Sequence, residues 1–506
     1  MNLLGACGKT PGALVYYMIY KEYCMQKVRM LILLSLFMPV LAFAHEHRTD
    51  MGCSVKRLCE FPAKIKEEGV YVVNKEVHYS KSCAAITIES DNVELVFCEE
   101  GSIELSGEGT GILIKADHVT VVGPQIKTNS EEAVAISLCS GVRDWTIEQG
   151  DFEGFSVAIE SSDFEDGTLK DTNFYNCIEG FKQKNFGVAK RLLIKNIRAD
   201  SSEVVSENSI ESYTVSLEGE VIDSVFENAQ FVSTSFYCFK CRNSVAEDVQ
   251  VFYPSIVTPF LTGVQFGGPR GIQLLAFNFD NPIPDELRQG CINCRTSNVQ
   301  ATMINDSGQV LFPIGISTMF CENCEIVDCQ STVLADPNLI DGVCFFETYC
   351  KSCTISRCIA EGATATGIFI CDPVDQCLFC EGTRVLNCTA RNCWLGISVY
   401  RCHAPVVDSC DVHLCVTGVS ISEGATNAIV SNCRIAENSL VGLAYVPLSA
   451  PNIGTIFPPT FTPDPCPANI QDPKNGVVTG TTFAGNATNI IDQVGSLNIG
   501  VNNNFF

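Results

Sequence analysis

The sequence has few basic residues for its size. Its 506 residues include 33 Lys and Arg against 58 Asp and Glu, which gives a formal net charge of −25 and a pI of about 4.6. No basic stretch interrupts this acidic excess. Because such a surface repels phosphate groups, we exclude nucleic acid as a partner, and an acidic polysaccharide would need a bridging cation.

Long apolar runs are also scarce. After residue 44, no segment is apolar over enough residues to span a membrane. The early run Met30–Leu41 follows a short basic segment and precedes the tripeptide "AFA", which is typical of a secretory signal peptide. We predict a signal peptide over residues 1–44, with Met25 as the natural start, and a mature chain that is secreted, periplasmic or at the cell surface. The alternative is an N-terminal anchor helix that is not cleaved.

Sustained helical periodicity is absent as well. Instead, short segments with apolar residues at every second position recur along the chain between Gly, Asn, Asp and Ser, and they predict β-strands. In "DNVELV", "DHVTVV" and "VRDWTI", the equivalent residues Val93, Val119 and Trp145 lie 26 residues apart each time. Strands that recur in this way indicate a solenoid whose coils bury their apolar side chains by stacking on one another.

The second half of the chain repeats a cysteine every 22 to 30 residues. The motif [Ile/Val]-x-x-Cys occurs five times there, and its cysteines are Cys329, Cys358, Cys388, Cys410 and Cys433. A buried thiol behaves as a small apolar group. We therefore predict that these five cysteines form an inward-facing ladder along the solenoid.

The segments "ITIESDNVELVF", "ILIKADHVTVVG" and "VVDSCDVHLCVTGVSIS" resemble coils of the right-handed parallel β-helix, the pectate-lyase-like superfamily. The resemblance spans roughly residues 84–446. It implies an all-β solenoid of about fourteen coils. The superfamily includes lyases, hydrolases, adhesins and tailspike-like binders, so the fold alone does not fix the function.

The chain contains 29 cysteines, and several arrangements of them remain open. In the first, the ladder cysteines are core thiols, and Cys-x2-Cys pairs at the coil corners form disulfides. In the second, two neighbouring pairs, Cys321 with Cys324 and Cys350 with Cys353, supply four thiolates to a zinc ion. In the third, the ladder itself is oxidised, although in-register side chains about 4.8 Å apart suit a disulfide poorly. Mixtures of these arrangements are also open.

Composition divides the chain after the signal peptide. Residues 45–83 are expected to lead into and cap the solenoid, which then occupies 84–446. The next stretch, 447–473, contains eight prolines and predicts a linker. Residues 474–506 return to strand-like alternation and are expected to cap the far end or form a tail.

A Gly- and Pro-rich excursion interrupts the repeat at residues 260–290. Long lateral loops on a rigid scaffold often carry the binding surface. Arg270 is a rare positive charge in this excursion, and Phe266, Phe277 and Phe279 are candidates to stack on sugar rings or to pack on a partner. The alternative is that the phenylalanines pin the loop to the solenoid.

Two further patterns suggest metal sites. Asp91 and Asp117 occupy the same position in adjacent repeats, so they either share a calcium ion or act as turn residues whose carboxylates accept nearby amides. Cleavage of the signal peptide would leave His45 and His47 at the new N-terminus. A free α-amine with a histidine in third position can hold Cu(II) or Ni(II), and the alternative is chance placement of an exposed histidine. No other cofactor is expected.

No catalytic residue can be assigned from the sequence. The Asn-Thr-Asp, Asp-Asp, Gly-His-Gly and Arg-Ile-Lys signatures of polygalacturonase-like enzymes do not occur in it. We predict a role in surface binding or structure, either adhesin-like or glycan-recognising, with a glycan or a protein as the partner. The alternative is a polysaccharide lyase or glycoside hydrolase that works in the lateral groove. The oligomeric state is not fixed by the sequence.

Overall fold

A computed structural model describes residues 55–208, 211–254, 260–268, 290–305, 312–335, 342–362, 366–371, 380–422, 424–446 and 473–506. All strands in these segments belong to one 48-stranded sheet. Their pairings are parallel, as in Val93 with Val119 or Thr417 with Val441.

The first part of the described chain contains twenty strands. They are β1 (Lys56–Arg57), β2 (Ala63–Ile65), β3 (Gly69–Val73), β4 (Glu76–Tyr79), β5 (Ile86–Ile88), β6 (Val93–Phe97), β7 (Ser102–Leu105), β8 (Thr110–Ile114), β9 (Val119–Val122), β10 (Gln125–Thr128), β11 (Val134–Leu138), β12 (Val142–Glu148), β13 (Asp151–Glu153), β14 (Val157–Ser161), β15 (Phe164–Lys170), β16 (Asn173–Tyr175), β17 (Glu179–Gln183), β18 (Val188–Lys190), β19 (Leu193–Lys195) and β20 (Arg198–Asp200).

A short helix follows, α1 (Ser202–Asn208), and it is the only helix in the described segments. The remaining strands are β21 (Tyr213–Ile222), β22 (Val225–Val232), β23 (Ser235–Arg242), β24 (Val245–Tyr253), β25 (Phe260–Phe266), β26 (Arg295–Ser297), β27 (Gln300–Asn305), β28 (Phe312–Met319), β29 (Glu325–Val327), β30 (Gln330–Ala335), β31 (Val343–Thr348), β32 (Thr354–Ser356), β33 (Ile359–Glu361), β34 (Thr366–Cys371), β35 (Arg384–Leu386), β36 (Thr389–Arg391), β37 (Leu395–Tyr400), β38 (Val406–Asp408), β39 (Asp411–His413), β40 (Thr417–Ser422), β41 (Ile429–Ser431), β42 (Arg434–Ala436), β43 (Val441–Val446), β44 (Val477–Thr479), β45 (Thr482–Ala484), β46 (Thr488–Asp492), β47 (Asn498–Ile499) and β48 (Asn504–Phe505).

Most strands contribute in turn to three parallel faces, which we call sheets A, B and C, whereas the longer strands β21–β24 each run across two of these faces. Sheet A begins β2, β5, β8 and β11, sheet B begins β1, β3, β6, β9 and β12, and sheet C begins β4, β7, β10, β13 and β16. In sheet B, Val93 pairs with Val119 and Val119 with Trp145, which confirms the 26-residue repeat read from the sequence. The chain therefore winds as a parallel β-helix, and each strand hydrogen-bonds to the coils before and after it.

Corners between the sheets are made by single residues in the left-handed backbone region. Between sheets B and C, this residue is Asn196, Asn298 or Asn387 in different coils, with φ of 55°, 51° and 53°. Asn tolerates this conformation because its short polar side chain can bond locally, whereas most side chains clash there. The residue after each corner points inward. The recurring Asn and Asp that punctuate the sequence are therefore corner residues.

The core is a continuous column of inward side chains. Val93, Leu95, Val119 and Val121 are all at most 1% exposed, and Trp145 is fully buried. Alternate residues of the same strands face out, as the burial pattern of β6 shows. The period-2 alternation in the sequence therefore predicted both the strands and the face that each side chain takes.

The solenoid extends beyond the boundaries that the sequence suggested. Residues expected only as a lead-in already form β2, β3 and β4, which pair in register with β5, β6 and β7. At the other end, β44, β45 and β46 stack on β41, β42 and β43, so residues 474–506 add coils instead of a separate cap or tail. Strand pairing of the solenoid therefore continues outside the interval 84–446 on both sides. Most of the Pro-rich stretch, 447–472, lies outside the described residues.

The described part of the chain contains no candidate membrane-spanning helix. No helix there combines the length and the apolar character that a membrane span needs.

Candidate functional site

The candidate functional site is a cleft of about 350 Å³ on the outer face of sheet C. Strands β7, β10, β13 and β16 form its floor. We call it the sheet C cleft, and its lining residues are Ser102, Gln125, Ile126, Lys127, Asp151, Phe152, Glu153 and Tyr175. Clefts with a few convergent polar groups are the usual places where small ligands and sugars bind.

The cleft follows from strict alternation in three short strands. In "QIKT", "DFE" and "NFY", the central apolar residues Ile126, Phe152 and Phe174 are buried, so their polar neighbours point outward. The rings of Phe152 and Phe174 stack inside with their centroids 5.5 Å apart. This packing holds β13 and β16 in register, which sets the spacing of the outward groups.

One end of the cleft carries a charged cluster. His78 Nδ1 lies 2.8 Å from Glu104 Oε2, and Lys127 Nζ lies 3.7 Å from the same oxygen. Lys127 Nζ also lies 3.9 Å from Glu76 Oε1. Glu76, His78 and Glu104 have ligand atoms within 4.8 Å of one another, an arrangement that exposed acidic groups often adopt without a metal. The ion pairs are solvent-exposed, so each contributes little to stability.

The other end of the cleft carries the carboxylates of Asp151 and Glu153 beside Asn173 and Tyr175. Asn173 Nδ2 donates a 2.7 Å hydrogen bond to Asp151 Oδ1. Tyr175, which pairs with Glu153 on the neighbouring strand, is 45% exposed. An exposed ring beside carboxylate and amide groups offers both a stacking surface and hydrogen-bond partners.

Sequence reasoning missed the sheet C cleft. The signal was present, because "SIEL", "QIKT", "DFE" and "NFY" all place polar residues on both sides of one apolar residue. Polar outward residues are expected on any solvent-facing sheet, however. Only the stacking of the coils reveals that Lys127, Asp151 and Tyr175 come together.

Phe266 is the one candidate binding residue of the excursion at residues 260–290 that the structure describes. Phe266 was predicted to contact a ligand, but it is 2% exposed in β25 and packs against Phe236, with ring centroids 5.3 Å apart. That prediction was wrong because β25 continues sheet A and turns this ring into the core. Arg270, Phe277 and Phe279 lie outside the described residues.

Asp91 and Asp117 each bridge two adjacent coils. Asp117 N donates to Asp91 Oδ1 and Arg143 N donates to Asp117 Oδ1, both at 2.9 Å. Both carboxylates accept hydrogen bonds from backbone amides, as the turn interpretation expected, although these amides belong to the next coil. The neighbouring His118 Nδ1 lies 2.7 Å from Asp144 Oδ2, and this contact raises the pKa of His118. His45 and His47 lie outside the described residues.

The five ladder cysteines occupy equivalent corner positions in adjacent coils. Each is at most 2% exposed, and each follows a corner residue between sheets B and C. Their thiols contact backbone carbonyls, as in Cys410 Sγ to Asp408 O at 3.3 Å. No disulfide forms among the cysteines of the described segments. The predicted disulfides at the coil corners are therefore not seen there.

The four cysteines of the zinc alternative lie in two adjacent coils. Cys321, Cys324, Cys350 and Cys353 are all buried, but they are not among the described groups that could hold a metal. Cys321 and Cys350 stack at one corner, and Cys324 and Cys353 stack at the next. Cys321 interacts with Cys324 and Cys350, and Cys353 interacts with the same two thiols, but no three of the four sulfurs lie within 4.8 Å of one another.

Burial changes the acidity of several groups in the core. Desolvation raises the pKa of the Cys177 thiol to about 12, and it does the same for Cys344. Glu347, a carboxyl 1% exposed in β31, has its pKa raised well above the usual range, chiefly by burial and then by nearby thiols. Burial therefore favours the protonated, neutral form of each of these groups.

Comparisons with known proteins agree with this architecture. A family model described as the right-handed β-helix region matches residues 340–462. A search of curated proteins finds no match to the chain. Among solved structures, the chain is similar to the periplasmic alginate epimerase AlgG, with 10% identity, a TM-score of 0.32, and coverage of 85% of this chain and 78% of the other.

It is also similar to a tailspike protein of E. coli bacteriophage HK620 in complex with a pentasaccharide, with 10% identity, a TM-score of 0.39, and coverage of 73% and 69% of the two chains. The catalytic unit of an α-1,3-glucanase from Streptomyces thermodiastaticus gives 10% identity and a TM-score of 0.32, with coverage of 83% and 63%. The three parallel in-register sheets therefore make this protein a parallel β-helix, and the model of the right-handed β-helix region matches part of it.

Proposed function

We propose that the protein binds an extended neutral or amino-sugar glycan, and not an acidic one, in the sheet C cleft. The observation that carries the proposal is the half-exposed Tyr175 ring beside carboxylate and amide groups in a cleft of about 350 Å³. Sugar rings offer an apolar face for stacking and hydroxyls for bonding to Asp, Glu, Asn and Gln. A parallel β-helix repeats such groups along its axis, which suits a polymer.

Charge decides between neutral and acidic glycans. The protein has a formal net charge of −25, and Glu76, Glu104, Asp151 and Glu153 lie in or beside the cleft. Lys127 is the one cation among the lining residues, and it already contacts two carboxylates. A polyuronate would therefore be repelled, whereas a neutral or amino sugar would not. The predicted signal peptide indicates that the protein is exported, and we propose that it binds the glycan outside the cytoplasm.

The test is a binding titration of the full chain with neutral, amino-sugar and uronate oligosaccharides. We expect saturable binding of a neutral or amino-sugar glycan. Tyr175→Ala should weaken that binding about tenfold, which corresponds to about 1.4 kcal/mol. Phe186→Ala is the matched control because Phe186 is an exposed aromatic residue (68%) outside the cleft, and its affinity should equal that of the unchanged protein.

Two results would overturn the proposal. One is the absence of glycan binding by the unchanged protein, and the other is equal affinity of Tyr175→Ala and the unchanged protein. If the bound glycan is instead cut, new reducing or unsaturated ends will appear during the incubation. That result would favour the lyase or hydrolase alternative at the same cleft.

A further inference from the structure

Two Cys-x2-Cys motifs outside the ladder come together in the core. They are "CFKC", with Cys238 and Cys241 in β23, and "CINC", with Cys291 and Cys294 just before β26. We call these residues the four-cysteine cluster. Cys241 Sγ lies 2.8 Å from Cys291 Sγ and 3.2 Å from Cys294 Sγ. The sulfurs of Cys238, Cys241 and Cys291 all lie within 4.8 Å of one another.

Coil stacking explains how residues 50 positions apart meet. Arg242 pairs with Ile292 and Val245 with Arg295, so Cys241 stacks directly on Cys291 in the next coil. The backbone bond from Ile292 N to Cys241 O, at 2.8 Å, fixes this register. All four cysteines are at most 5% exposed.

The sulfur of Cys238 distinguishes this cluster from the other stacked cysteine pairs. Cys238 pairs with Phe266 in the next coil, and Phe266 pairs with Thr318 in the one after. A sulfur therefore occupies this position in β23, while an aromatic ring and a hydroxyl occupy it in the following coils. Among the described residues, Cys238, Cys241 and Cys291 are the one set of three cysteines whose sulfurs all lie within 4.8 Å of one another, and Cys294 contacts Cys241.

We propose that Cys238, Cys241, Cys291 and Cys294 bind one zinc ion as four thiolates. Two Cys-x2-Cys pairs are the usual ligand supply of a closed, tetrahedral structural zinc site. Soft sulfur ligands select zinc over calcium or magnesium. Up to four protons leave the thiols when the ion binds, so the bound form gains from rising pH.

The geometry favours an ion over oxidation of the cluster. In-register neighbours such as Cys241 and Cys291 have Cβ atoms about 4.8 Å apart, whereas a disulfide needs about 3.8 Å. A tetrahedral zinc ion with bonds of about 2.3 Å would hold the sulfurs about 3.8 Å apart. The 2.8 and 3.2 Å separations would therefore open by roughly 0.6–1 Å, which small side-chain rotations supply.

Such an ion would tie two coils together across a large insertion. The chain between Cys241 and Cys291 contains β24, β25 and the excursion of residues 260–290, so the zinc would close a long loop within the β-helix. A cross-link of this kind stabilises most when the loop it closes is long. We infer that the role of the ion is structural, because the cluster is buried and all four ligand positions are occupied by protein.

The experiment measures the metal content of the full chain purified without chelators. We expect about one zinc per chain, with X-ray absorption showing four sulfur neighbours at about 2.3 Å. Cys241→Ser should lose at least nine-tenths of the zinc. Cys358→Ser is the matched control, since Cys358 is an equally buried ladder cysteine, and it should keep the full amount.

Folding of the variant is tested separately so that zinc loss can be interpreted. Cys294→His retains a zinc ligand at the same place and should keep the zinc and the circular dichroism spectrum of the unchanged protein. If Cys241→Ser does not fold, the X-ray absorption result on the unchanged protein decides by itself. The proposal is overturned by a zinc-free protein, by a disulfide that mass spectrometry maps to Cys241 or Cys291, or by equal zinc loss in Cys358→Ser.

Discussion

At the scale of single residues, the core of this β-helix mixes apolar side chains with thiols and a few polar groups. The ladder cysteines fill the inward corner positions where earlier coils carry Val249 or Val299, which are also fully buried. A thiol fits such a position because it is small and weakly polar. Polar groups that enter the same column must either find partners or lose their charge.

Cys410 tests the apolar character of the ladder. We expect Cys410→Ser to lower the free energy of unfolding by about 1–3 kcal/mol, because a hydroxyl is more costly than a thiol to bury beside Cys388 and Cys433. The measurement is the urea midpoint under reducing conditions. Cys98→Ser is the control, since Cys98 is exposed, and its effect should stay within about 0.5 kcal/mol. Equal effects of the two substitutions would contradict the buried ladder.

Glu347 predicts a pH dependence of stability. Its carboxyl is buried, and Glu347 Oε2 has no hydrogen-bond partner among the described residues, so the folded protein favours the protonated form. The folded pKa is raised above the unfolded one. Its contribution to stability is therefore complete below the unfolded value and is lost as the pH rises towards the folded pKa.

Glu347→Gln should remove this dependence. At pH 8, we expect the variant to be more stable than the unchanged protein by about 1–3 kcal/mol, and the difference should vanish near pH 4. Urea unfolding at both pH values is the measurement. Glu381→Gln, at an exposed position, should change neither curve. A difference between Glu347→Gln and the unchanged protein that is the same at both pH values would contradict the buried, protonated carboxyl.

At the scale of the element, the corners decide where one strand ends and the next begins. A residue in the left-handed backbone region redirects the chain from one sheet to the next, and the side chain of the following residue points into the core. Asn387 has φ of 53° and directly precedes Cys388, which is 1% exposed. The corner therefore sets both the direction of β36 and the depth of a ladder thiol.

Substitution of Asn387 tests this description of the corner. Asn387→Val should destabilise the protein by about 1–2 kcal/mol, because a β-branched side chain clashes in the left-handed region. Asn387→Gly should stay within about 0.5 kcal/mol of the unchanged protein, since glycine adopts this conformation without strain. Thermal unfolding of both variants provides the comparison. Should valine be tolerated as well as glycine, the corner would not require a left-handed residue.

At the scale of the whole molecule, each coil contacts mainly the coil before it and the coil after it. Leu395 pairs with Thr366 on one side and with Thr417 on the other. Stability in such a solenoid is approximately a sum of coil and interface contributions. The fold should consequently tolerate the loss of a complete coil but not of part of one.

A pair of deletions tests the coil as the unit of folding. Removal of residues 395–416 takes out β37, β38 and β39 and leaves β34, β35 and β36 to pair with β40, β41 and β42. We expect a folded protein whose melting temperature falls by about 2–5 °C. Removal of residues 395–405 alone places β38 where a sheet A strand belongs and should abolish the cooperative transition. Equal melting behaviour of the two proteins would argue against the coil as the unit.

The sequence by itself determined the repeat, the strands and the inward positions. Spacing alone placed Val93, Val119 and Trp145 at the same position in successive coils. Strand alternation then assigned their side chains to the inward face. The same reasoning placed Cys329, Cys358, Cys388, Cys410 and Cys433 in one inward-facing stack. These features depend on local periodicity, which a single sequence displays directly.

Only the tertiary structure decided which side chains from different coils converge. Tyr175 and Lys127 lie in strands that look like any solvent-facing strand, and their cleft exists because β7, β10, β13 and β16 stack. Cys241 meets Cys291 across 50 residues, since β23 pairs with the segment beyond a long insertion. Phe266 faces the core because β25 pairs with β23 and continues sheet A. Which residues of two adjacent coils pair depends on the length of the insertion between them. The alternation within each strand does not show that pairing.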